Sequence, residues 1–215
     1  LLKAVSSWRK DPESWLEGSF ERLPETVRVN PLRTDSKWVE EWILEQGGKS
    51  VPWFKGSGTA WKMPFSRGLA EGKTREMLIA LHETGRITRQ EIVSMIPVLA
   101  LEVSKGDYVL DMCASPGSKT TQISECLGEG GVVFANEISN SRANTLVSNV
   151  HRHGSKSAVI INHDGRHLPK MPNRGFDKVL VDAPCTGSAT TRKNPEVWQK
   201  WTPEGGRSLH DLQIE

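Results

Sequence analysis

The sequence predicts an α/β protein in which a parallel sheet fills the second half of the chain, behind a smaller, helical N-terminal segment. Three observations carry that prediction. From residue 107 onward, short apolar runs alternate with amphipathic stretches at the spacing of right-handed βαβ units. Each of the last three runs gives way to an acidic residue, and the first runs into a turn of small residues. The tryptophans avoid the centre: six of the eight precede residue 62, and the others are Trp198 and Trp201. The predicted organisation is a helical segment over 1–87 and an α/β domain over 88–215.

The elements follow in order. Lys37 to Gln46 sets Trp38, Trp42 and Ile43 on one helical face, and Gly47-Gly48 stops the helix. The rest of the front half reads as helix and loop. Thr88 is placed to cap a helix that begins Arg89-Gln90-Glu91, with Glu91 as the reciprocal partner and Ile92, Met95, Ile96 and Leu99 turned inward. Asp107 to Met112 is a buried strand, followed by a small-residue turn and a helix from about Ser118 to Leu127. Gly131 to Ala135 is a second strand, ending at Asn136-Glu137. A helix from about Asn140 to His153 follows, its end capped by His151 and His153. Lys156 to Ile161 gives a third strand ending near Asp164, and Asp177 to Val181 a fourth ending at Asp182.

Composition excludes several classes. A chain that is 36% hydrophobic and 25% charged is too apolar to be disordered. Its apolar runs are only a few residues long, so no membrane span is expected. The start, Leu1 to Lys10, lacks the pattern of a signal peptide, and opening on Leu suggests a piece of a longer chain. Three cysteines with no C-x-x-C pair argue against a disulfide framework or zinc knuckle, and for an intracellular compartment, nucleus or cytoplasm. No metal is expected, because His163, Asp164 and His167 lack the spacing of a known ligand set. A net charge of +2 does not by itself imply a nucleic-acid partner. Lys55 to Arg89 is locally richer, with seven Lys/Arg against three Glu, which fits either a solvated face or a patch facing RNA.

In open parallel sheets, ligands bind at the carboxyl ends of the strands. Here those ends carry Cys113-Ala114-Ser115-Pro116-Gly117-Ser118-Lys119, then Glu137, Asp164 and Asp182. The first is a tight turn into a helix, which lets a ligand approach the backbone and offers N–H donors to a carboxylate or phosphate. It is neither a Walker loop nor G-x-G-x-x-G. Glu137, about 20 residues further on, is placed to accept both hydroxyls of a ribose. Asp164 could meet an adenine amino group. Together these residues suit a nucleoside with a charged amino-acid tail. Asp182-Ala-Pro-Cys185-Thr-Gly187 is the most specific stretch, because Cys185 sits among Pro, Thr, Ser and Gly rather than in an apolar core.

Asp111-Met-Cys-Ala-Ser-Pro-Gly-Ser-Lys-Thr-Thr-Gln122 resembles the S-adenosylmethionine (SAM) motif of the NSUN-type RNA 5-methylcytosine methyltransferases. Asp182-Ala-Pro-Cys-Thr-Gly187 with Arg192-Lys-Asn194, Trp198 and Trp201 resembles their fourth motif. Arg89 to Pro97, Asn162-His-Asp164 and Leu209-His-Asp-Leu-Gln213 fit as well. With Pro52-Trp53 and Trp61, the likeness is strongest to the eukaryotic branch that modifies tRNA, and it covers roughly residues 50 to 215. Ser115 stands where the family often has Ala, and Glu137 where it often has Asp; both keep the needed size or charge.

The resemblance implies a class I SAM-dependent, Rossmann-like methyltransferase fold, with 1–87 facing RNA, and RNA, expected to be tRNA, as partner. It implies that Cys113, Ala114, Ser115, Pro116, Gly117, Ser118 and Lys119 hold the methionine end of SAM, Glu137 the ribose and Asp164 the adenine. Asp182 would lie between cofactor and cytosine, Lys119 would help hold the base, and Cys185 would assist release of product from a covalent adduct. The attacking cysteine of the family lies in a later Thr-Cys motif, expected beyond Glu215. Strands after the fourth would likewise lie beyond it, leaving a sheet incomplete on its C-terminal side and a chain inactive by itself. Two readings stay open beside this one: Cys185 as the nucleophile itself, and a non-catalytic SAM-fold module that binds RNA.

Overall fold

The computed structural model describes residues 2–168 and 175–215. Two compact units divide the chain. One is Pro24–Asp182, and the smaller joins the segment ending at Leu23 to Ala183–Glu215. In chain order the smaller unit opens with α1 (Leu2–Val5) and α2 (Pro12–Gly18). The larger unit then runs β1 (Pro24–Val29), α3 (Ser36–Glu45), β2 (Lys49–Ser50), β3 (Thr59–Ser66), α4 (Gly72–Glu83) and β4 (Ile87–Arg89). A 3-10 turn, Ile92–Met95, leads into α5 (Ile96–Ala100). Next come β5 (Tyr108–Asp111), α6 (Ser118–Leu127), β6 (Val132–Asn136), α7 (Asn140–His153), β7 (Ala158–Ile161) and β8 (Lys178–Leu180). The smaller unit closes with α8 (Pro203–Ile214).

The second half of the larger unit is the expected parallel sheet, in the order β7-β6-β5-β8. Its register sets Val109 beside Val133, Phe134 beside Val159 and Leu110 beside Val179. The predicted helices are found at Ser118–Leu127 and Asn140–His153. α6 starts after Gly117 in the left-handed region (φ 105°) and stops at Gly128. α7 ends at Gly154, whose N–H closes back on the carbonyls of His151 and Val150. Ile123 and Leu127 of α6 pack with Val98 on Val109, Val133 and Leu180. Leu146 and Val150 of α7 pack on Ala114 and Ala135.

The front half departs from helix and loop. Pro24–Arg89 builds a four-stranded antiparallel sheet, order β2-β3-β1-β4, around α3 and α4. Val27 and Val29 of β1 face a core of Val39, Ile43, Met63, Leu78, Leu81 and Ile87. The alternate residues Thr26, Arg28 and Asn30 are buried as well. A strand with one polar face reads as half solvated, which is why the alternation gave no sign of burial on both sides. α3 has the expected span, but it buries Val39 and Ile43 and leaves Trp38 half exposed. Thr88 belongs to β4 rather than capping a helix, and the following turn takes Glu91 as its N-terminal residue. Met95 is buried while Ile96 is exposed. Among the described residues, no helix is long and apolar enough to cross a membrane.

The two sheets are joined through charge. Arg28 Nε donates to Glu125 on α6 at 2.8 Å, and its Nη2 to Thr121 Oγ1 at 3.0 Å; Gln90 accepts from Nη1. Glu125 also meets His153 Nε2 at 2.9 Å. His153 is therefore an interior partner of Glu125, buried at 1% exposure, and not a helix cap.

Candidate active site

The carboxyl ends of β5, β6, β7 and β8 converge on one edge of the parallel sheet, and the chemistry-bearing side chains follow from how each strand ends. Asp111, the last residue of β5, is 1% exposed and accepts from Thr120 Oγ1 at 2.7 Å. Burial pushes its carboxyl up to about 6, against the pull of the Thr120 bond and the Lys119 charge. The turn after it is pinned along α7. Ser115 Oγ donates to Arg142 O at 2.9 Å, Arg142 Nη2 returns a bond to Ser115 O at 3.0 Å, and Asn149 Nδ2 donates to Pro116 O at 2.8 Å. At Gly117 a Cβ would lie 2.9 Å from Leu146 Cδ1. The left-handed backbone and the close helix both call for glycine there.

Cys113 is half buried, and desolvation raises its thiol, with Asp111, Glu137 and Asp182 adding to the effect. This is a protonated sulfur rather than a nucleophile. Ala114 sends its N–H to Asn136 O at 2.8 Å. Ser118 and Lys119 open α6. Glu137, directly after β6, is 3% exposed; its Oε1 accepts from the N–H of Ser139 at 3.0 Å, and Oε2 lies 3.4 Å from Arg142 Nη2. Asp164, after β7, accepts from the backbone N–H of Arg166 at 3.0 Å and from its guanidinium at 2.7 Å. These bonds hold its carboxyl down to about 2, so it is ionised at any working pH. Asp182, after β8, pairs with Lys119 Nζ at 2.6 Å.

One organiser escaped the sequence reading. Asn136, 1% exposed at the end of β6, donates from Nδ2 to Met112 O at 3.1 Å and to His163 O at 3.0 Å, and its Oδ1 accepts from the N–H of His163 at 3.1 Å. A single amide thus fastens the loop after β5 to the loop after β7. Asp111 was likewise read only as part of the motif. Its position as a strand's last residue before a turn was the available signal.

Cys185 belongs to the smaller unit and is exposed. Its loop is held there by both ends of that unit. Trp198 stacks on Trp15 at 5.5 Å, meets Phe20 edge-on at 5.1 Å, and donates from Nε1 to Ser188 O at 2.8 Å. Thr191 Oγ1 donates to Ser19 O at 3.1 Å, Arg192 reaches Glu21 O and Gly18 O at 2.9 and 3.0 Å, and Gln213 Nε2 donates to Pro184 O at 2.7 Å. The structure therefore gathers Cys113 to Lys119, Glu137, Asp164 and Asp182 at one sheet edge, and sets Cys185 in a separately anchored loop.

A parallel sheet in this order, with a small-residue turn after the first strand and acids after the next three, defines the class I SAM-dependent methyltransferase fold. Comparison with known proteins agrees. A family model described as 16S rRNA methyltransferase RsmB/F matches residues 98–215, and the chain belongs to that family. It is 37% identical to a tRNA (cytosine(34)-C(5))-methyltransferase of Drosophila melanogaster over 99% of this chain and 34% of that one. It is 36% identical to a multisite-specific tRNA:(cytosine-C(5))-methyltransferase of Saccharomyces cerevisiae over 76% of this chain and 27% of the other. The chain thus spans about a quarter to a third of the length of these curated relatives. Among solved structures, that of PH0851 superposes with a TM-score of 0.80 at 27% identity, covering 99% of this chain and 47% of the other.

Proposed function

We propose that this chain is the cofactor-binding part of a SAM-dependent methyltransferase that forms 5-methylcytosine in RNA, tRNA in particular, within the nucleus or cytoplasm. Residues 88–215 form the catalytic part in this reading, and 1–87 face the RNA. The observation that carries it is the set of strand ends within a family match that runs from residue 98 to 215. The residues fit the cofactor. A turn closed by a left-handed glycine leaves the backbone open to an amino-acid tail, Glu137 offers a carboxylate to ribose hydroxyls, and ionised Asp164 offers an acceptor to the adenine amino group. Cys113 to Lys119 would cradle the methionine end.

When bound, SAM supplies an electrophilic methyl group. The chain's own groups do the rest around the base. Asp182, salt-bridged to Lys119, can hydrogen-bond the cytosine edge while Lys119 steadies the ring. Cytosine carbon 5 accepts a methyl only after a thiolate has added to carbon 6, and the adduct must then lose the carbon 5 proton and the thiolate. Cys185 serves that release.

Calorimetric titration of SAM into the protein tests the cofactor site, with Asp164→Ala as control. Saturable binding that the variant loses is the expected result; a folded protein that takes up no SAM would overturn it. In the whole protein, Cys185→Ser should leave RNA covalently attached, visible as a slow band on a denaturing gel. Disappearance of every adduct would instead make Cys185 the attacking thiol.

A further inference from the structure

A polar cleft of about 600 Å³ opens between the last turn of α7 and the end of α4. Arg33, His82, Glu83, Asn149, His151 and Arg152 face it. Two features set it apart from an ordinary surface hollow.

The first is unpaired positive charge. Arg33 Nη2 donates to Arg152 O at 3.0 Å, and its Nε is buried with no partner. Arg152 Nη1 bonds His82 O, and its Nη2 lies 3.3 Å from Asn149 Oδ1. Neither guanidinium is in an ion pair among the described residues, whereas nearby Arg86 and Arg89 take Asp35 and Glu25. Among the described residues the sole acid lining the cleft is Glu83, which is exposed and acts on Arg152 through space without an ion pair. A buried donor without an acceptor costs free energy unless something else satisfies it.

The second is that the fold makes room for Arg33. Its guanidinium lies over Gly85 and Gly154, both with positive φ. A Cβ on Gly154 would come within 2.9 Å of Arg33 Nη2, and one on Gly85 within 2.0 Å of Arg152 O. Asn149 links this cleft to the turn after β5, since its Nδ2 holds Pro116 O while its Oδ1 takes Arg152.

We propose that the cleft binds a backbone phosphate of the RNA strand whose cytosine enters the site at the strand ends; this rests on the RNA reading above. Forked guanidinium donors match phosphate oxygens, and such contacts set the register of a nucleic acid without reading its sequence. Lys55 to Arg89 adds a smaller excess of the same sign, since Arg86 and Arg89 are paired with Asp35 and Glu25 and the other Lys/Arg still outnumber its Glu.

The test is RNA affinity against salt for the protein and for Arg152→Gln and His151→Glu. His151 is exposed, so its replacement leaves packing intact and its SAM titration should match the parent's. For Arg152→Gln, the slope of log K against log salt should flatten by about one unit. His151→Glu should weaken binding severalfold at low salt. Coincident RNA curves for all three proteins would overturn the cleft and leave the methyltransferase reading standing. A parent that binds SAM but no RNA would instead sink the RNA reading. Inorganic phosphate titration, followed by the ring signals of His82 and His151, then decides the cleft alone: saturable shifts lost in Arg152→Gln uphold an anion site, and unmoved signals overturn it.

Discussion

The two sheets of the larger unit are buried by opposite means. In the parallel sheet, Val109, Val133 and Ala135 are fully covered by α6 and α7, while Val159 and Val179 stay about 45% exposed on the other face. In the antiparallel sheet, β1 is buried on both faces, one aliphatic and the other made of Thr26, Arg28 and Asn30. The first sheet holds its helices by apolar contact and presents the site at its edge. The second contributes none of the strand-end residues, yet through Arg28 it grips the helix that starts the site. Support for a site can therefore come from a polar face reaching 97 residues along the chain.

Three measurements sharpen that contrast. The largest effect is expected for Arg28→Ala. It strands Glu125, 1% exposed in its side chain, beside His153, and should cost about 3–5 kcal/mol in a denaturant titration. A loss below about 1 kcal/mol would mean the junction is held by packing alone.

Asp111→Asn comes next and acts through pH. The folded protein holds the Asp111 proton up to about 6, whereas the unfolded chain releases it near 3.8. Stability contributed by that proton is full below 3.8 and fades as pH rises to about 6. The gap between parent and variant should thus move by up to about 3 kcal/mol across that window, in the variant's favour, and stay level above it. A gap that is flat with pH would mean the carboxylate is solvated. The smallest effect is expected at the exposed margin of the parallel sheet's other face: Val179→Thr, beside buried Leu110, should shift stability by no more than about 0.5 kcal/mol. A loss of 2 kcal/mol or more would show that face to be covered in solution.

The same contrast explains what the sequence made legible. α6 and α7 were readable because glycines mark their ends, and in α7 the buried positions follow one helical stripe, as at Ala143, Leu146 and Val150. The four strand ends were readable because each carries an acid or a turn of small residues. β1 was missed although Thr26-Val-Arg-Val-Asn30 alternates as a strand does; what the sequence hid was the burial of its polar face, because the partners that dry it, Thr121, Glu125 and His153, lie roughly 90 or more residues away. His153 failed for the same reason. At the end of a basic helix, a histidine looks like a cap until a buried carboxylate from another helix appears beside it. Asn136 gave no signal either, since its work is done on carbonyls and an N–H that only the folded loops bring near.

The loop that carries Cys185 has a history in time as well as a place. Its anchors are Trp15, Ser19 and Phe20, and the bond from Thr191 to Ser19 closes a separation of 172 residues. A ribosome adding roughly 5–20 residues per second needs about 10 to 35 s to cover that stretch. For that interval the newborn chain carries Trp15 and Phe20 without the Trp198 ring they pack on. The smaller unit thus closes only after the whole of the larger unit has been made, although its own first half precedes that unit in the chain.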